Sequence, residues 1–451
     1  MVRIVIDGAA VSTVDEQSTE YDTGYVVVEE GRIADVGAGP APTGPADRHV
    51  DARGCLVTPG LVNTHHHLYQ WATRGLAQNC DLFGWLVELY PVWAGLDEEI
   101  VGAAAAAGLA RLARTGCTTA ADHHYVFPRD GGDVFGAVVD AAARIGTRLH
   151  AVRGSMDRGR PAGGLPPDSL VESLDGALAG TAEAITTHHD PGFESMVRVA
   201  VGPCSPFTVS PELMTRAAEL ARHTGTRLHT HLAETIEEEK QCQAEFGCTP
   251  VEYAERTGWL GGDVWLAHGV HLSPAEVSRL GTTGTGVAHC PTSNGRLGSG
   301  IAPVKALLEA GAPVGLGVDG GASNEDGGLA VELRQAAYLA RLAGGADALT
   351  ARQALWLATA GGAACLGRTS EIGSLRPGLL ADIAVWRLST LDHAGIDDPV
   401  AALVFGPVPP LALLLVGGAA VVEDAELRTA DEATLAADLR AAVRRLKGRT
   451  P

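Results

Sequence analysis

Positive charge is what this chain has least of. Its 34 Lys and Arg stand against 54 Asp and Glu, a formal net charge of -20 over 451 residues. Tight nucleic-acid binding draws on clustered Lys and Arg that release counterions, so nucleic acid and anionic membrane surfaces are not expected partners. Long apolar runs are missing too: no segment approaches the roughly 20 apolar residues that a membrane span needs. The opening "MVRIVIDGAA" lacks a basic segment followed by a long apolar core, and the expected location is the cytoplasm. Aromatics supply only 5% of residues. The eight cysteines (Cys55, Cys80, Cys117, Cys204, Cys242, Cys248, Cys290, Cys365) include no CxxC pair, which favours reduced, mostly buried thiols over disulfides or a thiolate metal site. Two motifs are absent as well. No glycine fingerprint opens the first helix, and no GxSxG elbow offers a nucleophilic serine.

What is present divides the chain into ends and middle. The first 56 residues are strand-like, with "EEGR" as a hairpin signal inside "YVVVEEGRIADVG". After residue 370, "SLRPGLLADIAVWRL" and "LALLLVGGAAVVED" repeat that texture. Both ends are therefore expected to pair as one small β-sandwich domain. Between them, short apolar runs alternate with Ala- and Leu-rich helical stretches. The runs are "LVTPGLVNTH", "CTTAADHH", "TRLHAVR", "MVRVAVGP", "TRLHTHL", "DVWLAHG", "GVAHCP" and "APVGLGVDG". Eight strands with helical connections predict an α/β chain built as a (β/α)8 TIM-like barrel. The expected organisation is 1–56 and 368–428 for the sandwich, 57–367 for the barrel, and 429–451 for a C-terminal packing helix.

Histidines or aspartates fall at the ends of six of these runs, where a barrel keeps its active face. In "NTHHHLYQW" an extended strand sends His65 and His67 one way and His66 the other. Two imidazoles on one face make half a metal site, or a polar strand end bonded to backbone. In "LHTHLAE", His231 ends its strand, His229 lies deeper as a packed histidine, and Glu234 is either a helix cap or a general acid/base. His268 closes "WLAHG", and Asp319 closes "GLGVDG" as either a ligand or a loop acceptor. Singly each bland reading wins. Together, His65, His67, His231, Glu234, His268 and Asp319 converge on one barrel mouth.

At this point "TPGLVNTHHHLYQ", "LHTHLAET", "LAHGVHLS", "HCPTSN", "VGLGVDGGASN" and "GSLRPGLLADIAV" carry a resemblance over nearly the whole length. The chain resembles the amidohydrolase superfamily, in its deaminase and triazine-hydrolase branch. The resemblance implies that His65, His67, His231 and Asp319 bind one divalent metal, Zn2+ first and Fe2+ as the alternative. Glu234, His268 and Asp319 then handle protons. Two-metal relatives carry a modified lysine on the fourth strand, and "MVRVAVGPCSPFTVS" has none.

The implied reaction is hydrolytic deamination of a purine-like heterocycle, a small-molecule partner, by a homo-oligomer. Gln70 offers an amide donor and acceptor suited to a heterocycle edge, and its place in HxHxxQ resembles guanine-type members; a helix-entry glutamine is the plain alternative. Trp71 is either a wall of the site or core. Within the branch, "NTHHHLYQ", "PCSPFTVS" and "VDGGASN" are most similar to members acting on oxidised purines. This implies 8-oxoguanine going to urate, and makes Cys204 a pocket candidate. Isoxanthopterin, guanine and s-triazines are the other substrates, and a non-catalytic scaffold is the contrasting class. Gly321 stands where such members usually have serine.

Overall fold

The computed structural model of the chain describes residues 2–449. Its centre is a closed barrel of eight parallel strands: Leu61–Asn63, Cys117–His124, Arg148–Ser155, Val197–Pro203, Arg227–Leu232, Val264–His268, Gly286–His289 and Val314–Leu316. They neighbour one another in chain order, the eighth returning to the first through Leu316 and Asn63. Strands covered by helices on one face and filled by side chains on the other read as continuous apolar runs. That is why "VWLAH" and "GVAH" are buried at every position.

The helices between strands start where short polar side chains say they should. Asp97 accepts from the Ile100 amide ahead of Glu98–Arg114, and Ser210 from the Leu213 amide ahead of Pro211–Thr224. Ser273 and Glu276 form a reciprocal capping box at the start of Pro274–Thr283. Each such cap contributes about 1 kcal/mol. In Pro211–Thr224 the buried residues Leu213, Met214, Ala217, Ala218 and Ala221 form one stripe, which lays the helix against the barrel.

Both chain ends join in one nine-stranded sheet. Its seam is antiparallel, Cys55–Pro59 against Ile383–Arg387, with registered pairs from Cys55–Arg387 to Pro59–Ile383. The run "LVTPGLVNTH", expected as one strand, is therefore two elements. Cys55–Pro59 belongs to the terminal sheet and Leu61–Asn63 to the barrel. Gly60 joins them, and a Cβ there would lie 2.3 Å from Thr118 Cγ2, so only glycine lets the chain cross this close to the second barrel strand. A buried ion pair ties the two bodies together: Arg148 of the third barrel strand donates to Asp382 at 2.9 and 3.1 Å, and Asp382 also accepts from the Gly417 amide at 2.7 Å.

The tail forms the helix Glu432–Lys447, with Asp431 capping it through the Thr434 amide. Leu435, Ala442 and Leu446 are its buried face. Arg445 and Arg449 both reach Asp97, at 2.7 Å, at the start of the helix Glu98–Arg114. Among the described residues no helix is long and apolar enough to cross a membrane.

Candidate active site

The barrel mouth gathers the predicted residues from five segments. Past Asn63 the chain leaves the barrel wall, and His66–His67 form a two-residue parallel bridge with Asp319–Gly320. The alternation expected of an extended segment persists there. His65 and His67 enter the histidine cluster, with ring centroids 4.7 Å apart, and His66 lines neither cluster nor cavity. His231 joins them: its Nε2 is 3.0 Å from His67 Nε2. Asp319 Oδ1 lies 3.3 Å from the Nε2 atoms of both His65 and His67. Three residues at this mouth hold left-handed backbone, Ala233 at φ 54°, His268 at φ 74° and Asp319 at φ 61°. Such strain costs about 1–3 kcal/mol each and persists where the surroundings over-determine it.

Hydrogen bonds fix which nitrogen of each ring faces the centre. His67 Nδ1 is 2.6 Å from the His123 carbonyl and His231 Nδ1 is 2.7 Å from the Cys204 carbonyl. A carbonyl only accepts, so both Nδ1 atoms carry the proton and both Nε2 atoms present lone pairs. His65 is oriented by a relay. His229 Nδ1 donates to the Trp265 carbonyl at 2.8 Å, which leaves His229 Nε2 to accept from His65 Nδ1 at 2.8 Å. His65 Nε2 is then a buried lone pair with no hydrogen-bond partner. Three imidazole lone pairs and a carboxylate oxygen thus face one point without a proton among them. That arrangement is repulsive alone and becomes favourable around a cation. His65, His67 and Asp319 offer donor atoms within 4.8 Å of one another, as do His65, His231 and His268. The donor set fits one divalent ion, and the fourth barrel strand "VRVAVGP" holds no lysine for a second.

Beside this cluster stand the proton-handling groups. Glu234 follows the fifth strand, and the amides of Ala233 and Glu234 both donate to the buried carboxylate of Glu238 at 2.9 Å. Burial pushes the Glu234 carboxyl up to about 7, with His268 opposing and Asp319 adding to the rise. Ser299 donates to its Oε1 at 3.4 Å. His268 donates from Nδ1 to Asn294 Oδ1 at 2.9 Å, which turns Nε2 toward Glu234 Oε2 at 3.5 Å and Asp319 Oδ2 at 3.9 Å. Burial lowers the His268 pKa, but those carboxylates outweigh it and the net shift is upward. Asp319 Oδ2 accepts from Ser293 at 2.5 Å and Ser323 at 3.3 Å.

These groups open on a cavity lined also by Gln70, Trp85, Tyr90, Tyr125, Cys204 and Phe207. Gln70 is fully buried and its Oε1 has no partner in the protein. Gly320 makes room for it: a Cβ there would fall 1.7 Å from that oxygen. Cys204 lines the cavity as a thiol that burial pushes up to about 12, and its carbonyl orients His231. Trp71 is placed otherwise than expected of a substrate contact. Residues 68–73 form a short 3-10 helix, in which adjacent side chains diverge by about 120°, so with Gln70 inward Trp71 faces outward. Its indole packs beside Gly108 and Gly327 under the Arg74 guanidinium, 4.3 Å above the ring. Sequence reasoning missed Glu238, Asn294, Ser293 and the His123 carbonyl, which act by holding other residues. A clue existed only for Glu238, four residues after Glu234 in an acidic run.

A parallel eight-stranded barrel with imidazoles and carboxylates at the carboxyl ends of its strands defines a barrel hydrolase. The chain belongs to the amidohydrolase family, whose model matches residues 56–420. An 8-oxoguanine deaminase from Pseudomonas aeruginosa is 48% identical over 427 residues, 93% of this chain and 94% of that one. An isoxanthopterin deaminase from an unknown prokaryotic organism is 38% identical over 424 residues, 89% of this chain and 88% of that one. Among solved structures, an atrazine chlorohydrolase from Arthrobacter aurescens TC1 complexed with zinc superposes with a TM-score of 0.94 at 34% identity, covering 98% of this chain and 100% of that one. The protein is an enzyme, a hydrolase acting on carbon–nitrogen bonds.

Proposed function

We propose that the protein is a metal-dependent aminohydrolase that converts 8-oxoguanine to urate and ammonia. The observation that carries the reaction class is a single cavity holding both the convergent donor set and a Glu234 carboxyl raised to about 7. The substrate rests on the 48% identity to an 8-oxoguanine deaminase and on a cavity edged by Gln70.

His65, His67, His231 and Asp319 are the residues that would hold the ion, zinc first and iron as the alternative. Such an ion supplies a nucleophile at neutral pH by acidifying water, to a pKa of about 7 in well-understood zinc hydrolases. Glu234, half in its acid form near neutrality, donates its proton to the ring nitrogen next to the amine-bearing carbon. Charge therefore does not build on the ring as water's oxygen adds to that carbon. His268 Nε2 and Asp319 Oδ2 take up one of water's two protons and the exocyclic nitrogen receives it on leaving, while the spent Glu234 carboxylate takes the other and returns to its acid form. Water's oxygen stays as the new carbonyl and ammonia departs. Gln70 pairs through its unpartnered Oε1 with a ring N–H. Leu82, Trp85 and Phe207 supply apolar wall that excludes bulk water and faces a flat ring. Cys204, protonated, serves as wall.

The test is ammonia release by metal-analysed protein over a panel of 8-oxoguanine, guanine, isoxanthopterin and chlorotriazines. The expected preference is 8-oxoguanine. A preference for isoxanthopterin or a triazine overturns the substrate, and inactivity on all four with one ion bound overturns the deaminase.

A further inference from the structure

The other end of the barrel carries a second polar pocket that the chemistry at the mouth does not use. It is lined by His150, His189, Pro191, Arg198, Thr226 and Arg227, with Val199, Gly225 and Gly367 completing the wall. No carboxylate among the described residues lines it, in a chain of formal charge -20. Arg227 opens the fifth barrel strand and His231 stands four residues on, next to its end, so the two sites lie about 13 Å apart along that strand at about 3.3 Å per residue.

Its nitrogens are only partly spent: Arg198 Nη2 donates to the Pro191 and Gly192 carbonyls at 3.2 and 3.1 Å. Arg198 Nε, Arg227 Nε and His150 Nδ1 are buried without a hydrogen-bond partner in the protein, as is Arg368 Nη1 beside Gly367. Arg198 and Arg227 line the pocket itself, and their positive charges favour an anion there. Carboxylates balance these cations only in part. Glu371 accepts from both Arg198 at 2.6 Å and Arg368 at 2.7 Å, one negative charge for two positive ones. Asp263 pairs with Arg222 at 2.9 Å, and Asp190 accepts from the Gly192 amide at 2.8 Å. Arg227 has a carbonyl, that of Cys365 at 2.8 Å, in place of an anion.

We infer that this pocket is a binding site for a phosphate-class oxyanion, held by Arg198, Arg227 and His150. Guanidinium N–H groups match tetrahedral oxyanions, and the site is preformed by strands rather than by loops. The ligand also has a mechanical role. The seam between the fourth and fifth barrel strands is registered over only Ala200–Arg227 and Val201–Leu228. An anion bridging Arg198 and Arg227 fastens that seam from below.

The test is calorimetric titration of the full-length, metal-loaded protein with inorganic phosphate, against chloride at matched ionic strength. One phosphate per chain is expected. Arg227→Gln removes a donor, and Pro191→Glu places a carboxylate at the exposed rim beside Arg198, which donates to the Pro191 carbonyl at 3.2 Å; each should weaken binding about ten-fold or more, equal to about 1.4 kcal/mol. Circular dichroism establishes that each variant is folded, and Pro191→Glu stands alone should Arg227→Gln fail to fold. Absence of phosphate binding by the wild type, or unchanged affinity in either folded variant, overturns the site. Phosphate held at the barrel mouth gives that second result.

Discussion

At the scale of single residues, the account turns on one carboxyl group. Glu234 is raised to about 7 by burial, so near neutrality it is both a proton donor and, once spent, a competent acceptor. Glu234→Gln keeps the shape and loses the proton. The expected result is an unchanged metal content, read by elemental analysis, with kcat lowered by about 100-fold or more. The pH dependence follows from the sign of the shift. A group that must be protonated to act, with its pKa raised to about 7, is fully competent below that value and loses about ten-fold per pH unit above it. The basic limb of kcat/KM should therefore bend near pH 7; a profile flat to pH 9 contradicts the role given to Glu234.

The same scale shows what could be read in advance. His65, His67, His231, His268 and Asp319 stood out because each follows an apolar run, and burial patterns and strand ends are written locally in the sequence. Their alignment was not. His67 and His231 owe their exposed lone pairs to the carbonyls of His123 and Cys204, and His65 owes its own to a relay through His229 to Trp265. Carbonyls belong to every residue, so no residue type announces them. His229 could be read as packed, yet its part in orienting His65 depends on a 2.8 Å approach between side chains 164 positions apart.

At the scale of elements, local patterning placed the barrel strands, and misplaced one boundary and one side chain. The boundary is the run before His65, where an uninterrupted apolar stretch hides a change of sheet at Gly60. The side chain is Trp71, read as a possible neighbour of substrate because it follows Gln70. A tight 3-10 turn separates consecutive side chains by about 120° and sends Trp71 to the helix wall instead. The loop after the eighth strand gives a test of Gln70. Gly320→Ala sets a methyl group 1.7 Å from Gln70 Oε1, so the amide must swing away. Bound metal should stay at the wild-type level while KM for the heterocycle rises by about ten-fold, the cost of one lost buried hydrogen bond. Unchanged KM removes Gln70 from substrate recognition.

At the scale of the whole molecule, the pairing of the two chain ends was legible in their shared strand texture, and the device that locks them to the barrel was not. Arg148 and Asp382 are both buried, on elements 234 residues apart, and although Asp382 lies within "GSLRPGLLADIAV", nothing in that motif points to Arg148 as its partner. A buried ion pair is costly to break from one side, because the remaining charge is stranded. Asp382→Ala should lower unfolding stability by about 3–5 kcal/mol in a urea titration. A loss below about 1 kcal/mol would mean that the terminal sheet docks without this pair. The excess of acid over base is likewise a property of the whole chain and is read directly from its composition.

The central claim is that one ion and Glu234 act together, in one cavity, to replace a ring amine by a carbonyl. Its most direct measurement is the stoichiometry of products from 8-oxoguanine, with urate followed by absorbance and ammonia by a coupled assay, on protein of known metal content. The account predicts urate and ammonia in equal amounts, at a rate proportional to bound metal up to one ion per chain. Fully metal-loaded protein that releases no ammonia from 8-oxoguanine, or metal-stripped protein that turns it over at the same rate, contradicts the account.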